Sequence, residues 1–345
     1  MATVDVTVMG AGVFGLSVAY AVAKRGARVR VIDPNGVASG ASGGVVGALA
    51  PHVPEQWNSK KAFQLESLLM QADFWTQVTQ STGLQTGYCR SGRLQPLADA
   101  AAVDLAKARA VSAKEVWGDA AIWQVMPASD APWMPPSPSG MVVHDSLTGS
   151  IHPRAATRAL AAAVTSLGGQ IVREAAPEGR VVWATGWRGL DAMTAQHSRL
   201  VGAGVKGQGA LLRFDAMGLP QLFAETLHIV PHFDGTVAIG STTERAYEDG
   251  AVTDELLEDL IATARRVFPV LADAPVIERW AGVRPRSRSR APMLGAHPFR
   301  PGEFVANGGF KIGVGMAPKV GEGVADLGLE GRDTVPDDFR PERSL

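Results

Sequence analysis

The first 33 residues constrain the fold most, because they contain a strand, a glycine-rich turn, a helix and a second strand in that order. Alternating valines run into the turn Gly10-Ala11-Gly12-Val13-Phe14-Gly15, and a helix is predicted to follow as far as Lys24. Glycines in this arrangement permit a tight turn and the close approach of the backbone to a pyrophosphate, which binds at the helix N-terminus. A second strand ends at Asp33, whose carboxylate is placed to accept a hydrogen bond from a ribose hydroxyl. The sequence therefore predicts a dinucleotide-binding βαβ unit.

The glycine motif alone does not distinguish NAD from FAD, and an ordinary βαβ unit can also contain a glycine-rich turn. After Asp33 the chain continues through residues 34–44, which are rich in glycine and serine. A nicotinamide cofactor does not need a second polar cradle there. FAD has a ribityl chain beyond the pyrophosphate that such a segment can hold, so residues 34–44 favour FAD.

Length and composition indicate a globular protein with a small-molecule ligand. The chain has 345 residues, which favours two domains, and 46% of them are hydrophobic. Its 33 basic and 34 acidic residues give a net charge of −1, which argues against a nucleic-acid partner. The single cysteine, Cys89, excludes an intrachain disulfide, so a cytoplasmic location is expected. No signal peptide or membrane span is expected either.

The order of predicted elements indicates two interleaved domains. After a long excursion, Arg180–Ala184 reads as a return to the parallel sheet, and the next excursion contains alternating strands joined by an Asp234-Gly235 hairpin turn. We predict an FAD-binding domain formed by residues 1–57, 140–200 and 285–345, and a substrate-binding domain formed by 58–139 and 201–284. Gly207-Gln208-Gly209 is interpreted as a turn, and residues 331–345 as a loose tail.

Several motifs occur in an order that resembles the FAD-dependent D-amino-acid oxidase, glycine oxidase and sarcosine oxidase family. They are Gly10 to Gly15 with Asp33, Gly40-Ala41-Ser42-Gly43-Gly44, Ala184-Thr185-Gly186, His228-Ile229-Val230-Pro231, Trp280-Ala281-Gly282-Val283-Arg284-Pro285 and Gly308-Gly309-Phe310-Lys311. The resemblance covers nearly the whole chain. It implies an α/β fold, α+β overall, with a Rossmann-type FAD-binding domain interleaved with a substrate domain built on a mostly antiparallel sheet.

The same resemblance implies which residues surround the cofactor. They are Gly10, Gly12, Val13, Phe14, Gly15, Asp33, Pro34, Ser39, Ala41, Ser42, Gly43, Gly44, Ala48, Ala184, Thr185, Gly186, Gly308, Gly309, Phe310, Lys311 and Ile312. The FAD is expected to be noncovalent, because the position of the covalent flavin cysteine of sarcosine oxidases falls near Gly282 and Val283 and not at Cys89. No metal site is expected.

Three residues are candidates for substrate binding and catalysis. An arginine at the position of Arg284 holds the substrate carboxylate in this family, and a guanidinium suits that role because it can donate two parallel hydrogen bonds. Lys311 resembles a carboxylate-binding lysine of sarcosine oxidases. His228 stands where glycine and D-amino-acid oxidases have a tyrosine, which puts the identity of the substrate in doubt. The alternatives are a structural salt bridge for Arg284, a solvated Lys311 and an ordinary strand histidine at 228.

A run of arginines follows the first candidate. If Arg284, Arg286, Arg288 and Arg290 lay in one extended strand, their side chains would share a face, and so much charge would need partners or solvent. A more anionic substrate is one reading of this pattern.

The resemblance implies oxidation of an amino acid or N-substituted glycine at the carbon that bears the amine. Hydride would pass to flavin N5, the imine would be released and hydrolysed, and O₂, yielding H₂O₂, or another acceptor would reoxidise the flavin. The alternatives are a flavin-bearing subunit of an amine dehydrogenase that passes electrons to a partner, and an NAD-linked dehydrogenase. Expected partners are a small amine or amino acid, the electron acceptor and, in a homo-oligomer, further copies of the chain, with the number of subunits left open.

Overall fold

The structure is a computed structural model that describes residues 4–345, and these residues form seven α-helices and three β-sheets. The helices are α1 (Val13–Lys24), α2 (Ser59–Thr82), α3 (Ala100–Trp117), α4 (Pro153–Ser166), α5 (Gly186–Thr194), α6 (Glu255–Val267) and α7 (Gly313–Ala325). The strands are β1 (Val6–Met9), β2 (Val29–Ile32), β3 (Ala48–Leu49), β4 (Arg93–Pro96), β5 (Trp123–Pro127), β6 (Met141–Asp145), β7 (Gly149–Ser150), β8 (Gln170–Val172), β9 (Arg180–Trp183), β10 (Gly202–Arg213), β11 (Gln221–Ala224), β12 (Leu227–Pro231), β13 (Thr236–Gly240), β14 (Val276–Ser287), β15 (Met293–Ala296) and β16 (Phe304–Asn307).

The first sheet has six strands in the order β15-β16-β9-β1-β2-β8, and all its pairs are parallel except β15 with β16. Its central strands are apolar because both faces are covered, and Val8, Val31 and Val182 are almost wholly buried. Helices α1 and α7 pack closely against each other, since a Cβ on Gly321 would meet the carbonyl oxygen of Ser17 at 2.5 Å. This sheet and its helices carry the predicted dinucleotide site at the carboxyl end of β1.

The second sheet has eight strands in the order β14-β10-β13-β12-β11-β4-β6-β5, and only the pair of β11 with β4 is parallel. One face packs on α6, where Ile229 of β12 joins Leu257 and Phe268 in a core cluster. The opposite face packs on the segment after β2, where Val230 contacts Val45. Successive residues of β12 therefore point alternately to the helix and to the first sheet's ligand-binding segments.

Two predictions from the sequence are wrong. Gly207-Gln208-Gly209 is not a turn but lies within the twelve-residue strand β10, which pairs with β14 along its length. Residues 331–345 are not a loose tail: they form short helical turns, and Phe339 is 1% exposed with its ring edge-on to Phe63 at 5.0 Å. An apolar side chain at 339 explains why the segment returns to the core.

The predicted domain boundaries do not follow the sheets at two points. Strand β6, which begins just after the predicted boundary at 140, pairs with β4 and β5 in the eight-stranded sheet. Strand β14 continues past the boundary at 284 to Ser287. The sheets are nevertheless built from separated stretches of chain, and the division into an FAD-binding and a substrate-binding domain stays a prediction.

The last helix continues beyond its regular part. Helix α7 begins at Gly313 and ends at Ala325, and a π-helical turn over Asp326–Glu330 follows it directly. Among residues 4–345, no helix has the length and hydropathy needed to cross a membrane.

Candidate active site

The glycine-rich turn is held by contacts that only glycines allow. Gly10 has a φ of +112°, and a Cβ on it would overlap the carbonyl oxygen of Ala184 at the end of β9. A Cβ on Gly15 would overlap the carbonyl oxygen of Gly10 and lie 3.2 Å from the Ala184 side chain. The turn and the predicted Ala184-Thr185-Gly186 segment are therefore in direct contact at one edge of the first sheet.

The backbone amides of this turn divide into engaged and free donors. The amide of Ala11 donates to Asp33 Oδ2 and that of Val13 to Ser42 Oγ, both at 2.9 Å. Within residues 4–345, the amides of Gly12 and Phe14 have no acceptor. Free N–H groups at the N-terminus of α1 are suited to the phosphates of a dinucleotide. The turn therefore fits FAD, and Asp33 lies where a ribose would be recognised.

The glycine and serine segment forms a second wall next to this turn. Ala38 donates its amide to the carbonyl of Ala11 at 3.1 Å, and a Cβ on Gly43 would overlap the carbonyl of Ala38. A Cβ on Gly44 would lie 3.2 Å from the Trp280 ring of β14. The segment thus runs from the phosphate turn toward the second sheet, which is the path that an elongated FAD molecule requires. Ala48 follows this segment in β3. Pro34 and Ser39, in the first half of the segment, are exposed.

The loop between β16 and α7 closes the same region from the other side. Gly308 has a φ of +75°, and a Cβ on Gly309 would lie 2.9 Å from the Phe14 ring. Phe310 donates its amide to the carbonyl of Pro285 at 3.0 Å, which ties the loop to β14. The structure therefore brings the predicted cofactor residues of the turn, of residues 184–186 and of the 308–312 loop together. Ile312 is the residue before α7.

Arg284 is the most buried of the predicted substrate-binding residues, with 9% exposure. Its Nη1 donates to Ser241 Oγ at 2.7 Å, and its Nη2 donates to the carbonyls of Thr242 at 2.7 Å and Lys206 at 3.2 Å. Its Nε is buried and has no hydrogen-bond partner within residues 4–345. Burial lowers the pKa of Arg284 to about 10 against the opposing effect of Glu244, so the side chain remains a cation at neutral pH. An unpartnered buried donor on a cation is suited to an anionic ligand.

A cationic cluster surrounds the Phe310 ring. The guanidinium of Arg284 lies 5.3 Å from the ring centroid, that of Arg286 5.4 Å, and Nζ of Lys311 5.9 Å. Loss of hydration and the two neighbouring guanidinium groups lower the pKa of Lys311. Lys311 is exposed, as the solvated alternative expects, but its Nζ and the Arg284 guanidinium lie near the same Phe310 ring.

The four arginines do not share one face, because β14 ends at Ser287, and the expectation that their charge needs solvent or partners is confirmed. Arg288 and Arg290 are exposed in the turn that follows, where Arg288 donates to the terminal carbonyl of Leu345. Only Arg284 and Arg286 are two residues apart on the strand and point to one face.

His228 lies on the ligand-facing side of β12, two residues before Val230. Its ring is 4.5 Å from that of Phe223 on β11, and its Nδ1 is buried without a partner within the described chain. Burial, with smaller effects of Arg93 and Lys311, lowers the pKa of His228 to about 3. The imidazole is therefore neutral at physiological pH and can exchange hydrogen bonds but carries no charge.

Sequence reasoning missed residues that support this site. Arg93 and Asp145 form a buried ion pair at 2.9 Å, and the Arg93 guanidinium lies 5.6 Å from the Phe223 ring, which contacts His228 at a tilted angle. Gly207 lies beneath Arg284, because a Cβ there would come within 2.5 Å of the guanidinium carbon. A glycine inside a strand is the signal that could have suggested such a close approach.

Comparison with known proteins agrees with this architecture. The family model described as "DAO: FAD dependent oxidoreductase" matches residues 5–327. The glycine oxidase of Pseudomonas putida (strain KT2440) is 29% identical over an alignment of 373 positions, gaps included, that covers 99% of each chain. The structure of glycine oxidase from Geobacillus kaustophilus has 22% identity, covers 99% of both chains and gives a TM-score of 0.85. The structure of iminodiacetate oxidase from Chelativorans sp. BNC1 has 20% identity to this chain. The match covers 97% of this chain and 98% of the other, with a TM-score of 0.84. The two structural likenesses confirm the predicted fold class.

Proposed function

Because this chain belongs to the DAO family of FAD-dependent oxidoreductases, we propose that it oxidises an amino acid or an N-substituted glycine at the carbon that bears the amine. The observation that carries the proposal is the buried Arg284, whose unpartnered Nε lies on β14 next to the 308–312 loop. The name of the Pseudomonas putida relative, a glycine oxidase, supports a small amino acid as the substrate. Neither NAD-linked chemistry nor a metal is part of the proposal.

We assign FAD to the groove formed by the Gly10–Gly15 turn, residues 34–44, residues 184–186 and the 308–312 loop. The free amides of Gly12 and Phe14 would hold the phosphates, and Asp33 the ribose. When bound there, FAD supplies a two-electron acceptor for the amine-bearing carbon. The cofactor is held by noncovalent contacts alone in this proposal.

Each candidate residue then has one role. Arg284 binds the carboxylate of the substrate through donors that the protein leaves free. Lys311 adds a second positive charge near the Phe310 ring, which both residues contact. His228 remains neutral, so it can accept a hydrogen bond from the substrate amine without adding a positive charge beside it. Binding of the acid group at a fixed point orients the carbon that loses hydride.

The electron acceptor, the location and the number of subunits stay predictions. O₂ is one acceptor and a partner protein another, and both are consistent with the same substrate chemistry. A cytoplasmic location rests on the single cysteine of the sequence. Formation of H₂O₂ during turnover in air would identify O₂ as the acceptor.

An anaerobic screen tests the proposed function. Glycine, sarcosine and D-alanine are mixed with the purified yellow protein, and loss of flavin absorbance is compared with that caused by methylamine, dimethylamine and ethylamine. We expect at least one of the acids to bleach the flavin much faster than its amine, and acid treatment to release all the yellow colour into solution. A colourless protein that NAD stabilises against heat and FAD does not would contradict the proposal.

A further inference from the structure

The cationic cluster about Phe310, formed by Arg284, Arg286 and Lys311, has no carboxylate to balance it. No ion pair within residues 4–345 includes any of the three side chains. The charged groups that influence the pKa of Arg286 are Arg245 and Arg290, and those that influence Lys311 are Arg284 and Arg286. The charged neighbours that act on these two residues are therefore cations, and Arg286 is half-buried while Lys311 is exposed.

The nearest acid to the cluster is already engaged. Glu244 is close enough to raise the pKa of Arg284, but its Oε2 lies 3.4 Å from Nζ of Lys206. Its Oε1 accepts from the Gln208 amide at 3.1 Å and from the Thr242 hydroxyl. The Glu244 carboxylate is therefore committed to Lys206 and its neighbours. Water screens the exposed Lys311, whereas the half-buried Arg286 has no acidic partner within residues 4–345, so an anionic ligand would complement it.

One carboxylate cannot engage all three cations well. Arg284 is fixed by Ser241, Thr242 and Lys206, so it meets a ligand mainly through Nε and its remaining Nη1 hydrogen. Arg286 lies two residues further along β14, where side chains on one face are separated by about 6.6 Å of strand. That separation exceeds the width of a single carboxylate and is close to the distance between the acid groups of a small dicarboxylate.

We propose that the preferred substrates carry two carboxylates, the first on Arg284 and Lys311 and the second on Arg286. This inference rests on the proposed function, because it names the substrate class of the same site. Amino dicarboxylic acids and N-carboxymethyl amino acids are the compounds of this class. Arg286 is a specificity-determining residue, because it binds the carboxylate that takes no part in the reaction and so distinguishes diacid from monoacid substrates.

A binding experiment tests the second subsite without turnover. Butyrate and glutarate have the chain lengths of sarcosine and iminodiacetate with carbon in place of nitrogen, so neither can be oxidised at an amine. Titration calorimetry of the FAD-loaded protein should show glutarate binding at least about 10-fold more tightly than butyrate, as expected for one added charge-assisted hydrogen bond. Equal affinity for the two acids would overturn the proposal.

The kinetic experiment compares sarcosine with iminodiacetate, and D-alanine with D-aspartate, in anaerobic flavin reduction. Arg286→Gln should lower kcat/KM for each diacid at least about 10-fold more than for its monoacid, and should remove the preference for glutarate. Arg213→Gln is the matched control, because it deletes the same charge from an exposed side chain ten residues along β10 from Ala203, the residue that pairs with Arg286. The control variant should keep the preference for diacids over monoacids and for glutarate over butyrate.

The outcomes separate this inference from the proposed function. The second subsite would be refuted if the monoacids are oxidised efficiently and Arg286→Gln lowers kcat/KM equally for the diacid and the monoacid of each pair. Amino-acid oxidation would remain supported in that case. Failure of every amino acid to reduce the flavin would refute the proposed function, while a preference for glutarate over butyrate would still support a site for two carboxylates.

Discussion

At the level of single residues, the position of Arg284 depends on the absence of a side chain at Gly207. The two residues lie on paired strands, and the guanidinium lies flat over the glycine with its carbon 2.5 Å from where a Cβ would be. Three protein acceptors then fix the group, and its Nε remains for a ligand. Such a fixed cation is prepared for its ligand and loses little conformational entropy when the ligand binds.

Replacing this glycine tests that arrangement. Gly207→Ala should displace the Arg284 guanidinium and lower kcat/KM for the carboxylate substrate by about 10-fold or more, the loss expected for one charge-assisted hydrogen bond. Loss of flavin absorbance under anaerobic conditions measures the effect, and FAD content serves as the control because residue 207 is remote from the phosphate turn. A variant with unchanged kinetics would show that Arg284 tolerates a side chain beneath it.

At the level of elements, the turn between β1 and α1 depends on the end of β2. Asp33 accepts the amide of Ala11 through one oxygen and that of Asn35 at 3.0 Å through the other. The carboxylate therefore shapes the turn, and in the proposed function it also binds the ribose. The sequence predicted this unit well, because a glycine motif and an acid at fixed spacing are local signals.

Removal of the Asp33 carboxylate should weaken FAD retention. A charge-assisted hydrogen bond contributes about 1.5–3 kcal/mol, so Asp33→Ala should raise the dissociation constant roughly 10-fold to 150-fold. Asp33→Asn, which keeps one acceptor oxygen for the Ala11 amide, should have a smaller effect. Titration of the apoprotein with FAD measures both constants, and an unchanged affinity in Asp33→Ala would place the ribose contact elsewhere.

At the level of the whole molecule, prediction from sequence succeeded for local motifs and failed for contacts between distant segments. The parallel strands, the glycine-rich turn, and the hairpin of β12 and β13 could be predicted because each has its own sequence signal. The Arg93–Asp145 pair joins residues that are 52 positions apart in the sequence. The need for glycine at position 207 is apparent only when the pairing of β10 with β14 is known. Phe339 packs on Phe63 across nearly the full chain. Nothing local to residues 331–345 indicated that contact.

Substrate anchoring by Arg284 and Lys311 is the central claim, and anaerobic flavin reduction by an amino acid and by its decarboxylated amine tests it most directly. Losing a buried charge partner costs about 2–5 kcal/mol, so Arg284→Ala should lower kcat/KM for the acid by roughly 30-fold or more. The value of kcat/KM for the amine should fall far less, and FAD should stay bound. Lys311→Met should act in the same direction but less strongly, because a lysine offers a point charge and not a fixed fork of donors. Equal losses for acid and amine would contradict the account, since the two cations would then serve the flavin or the fold.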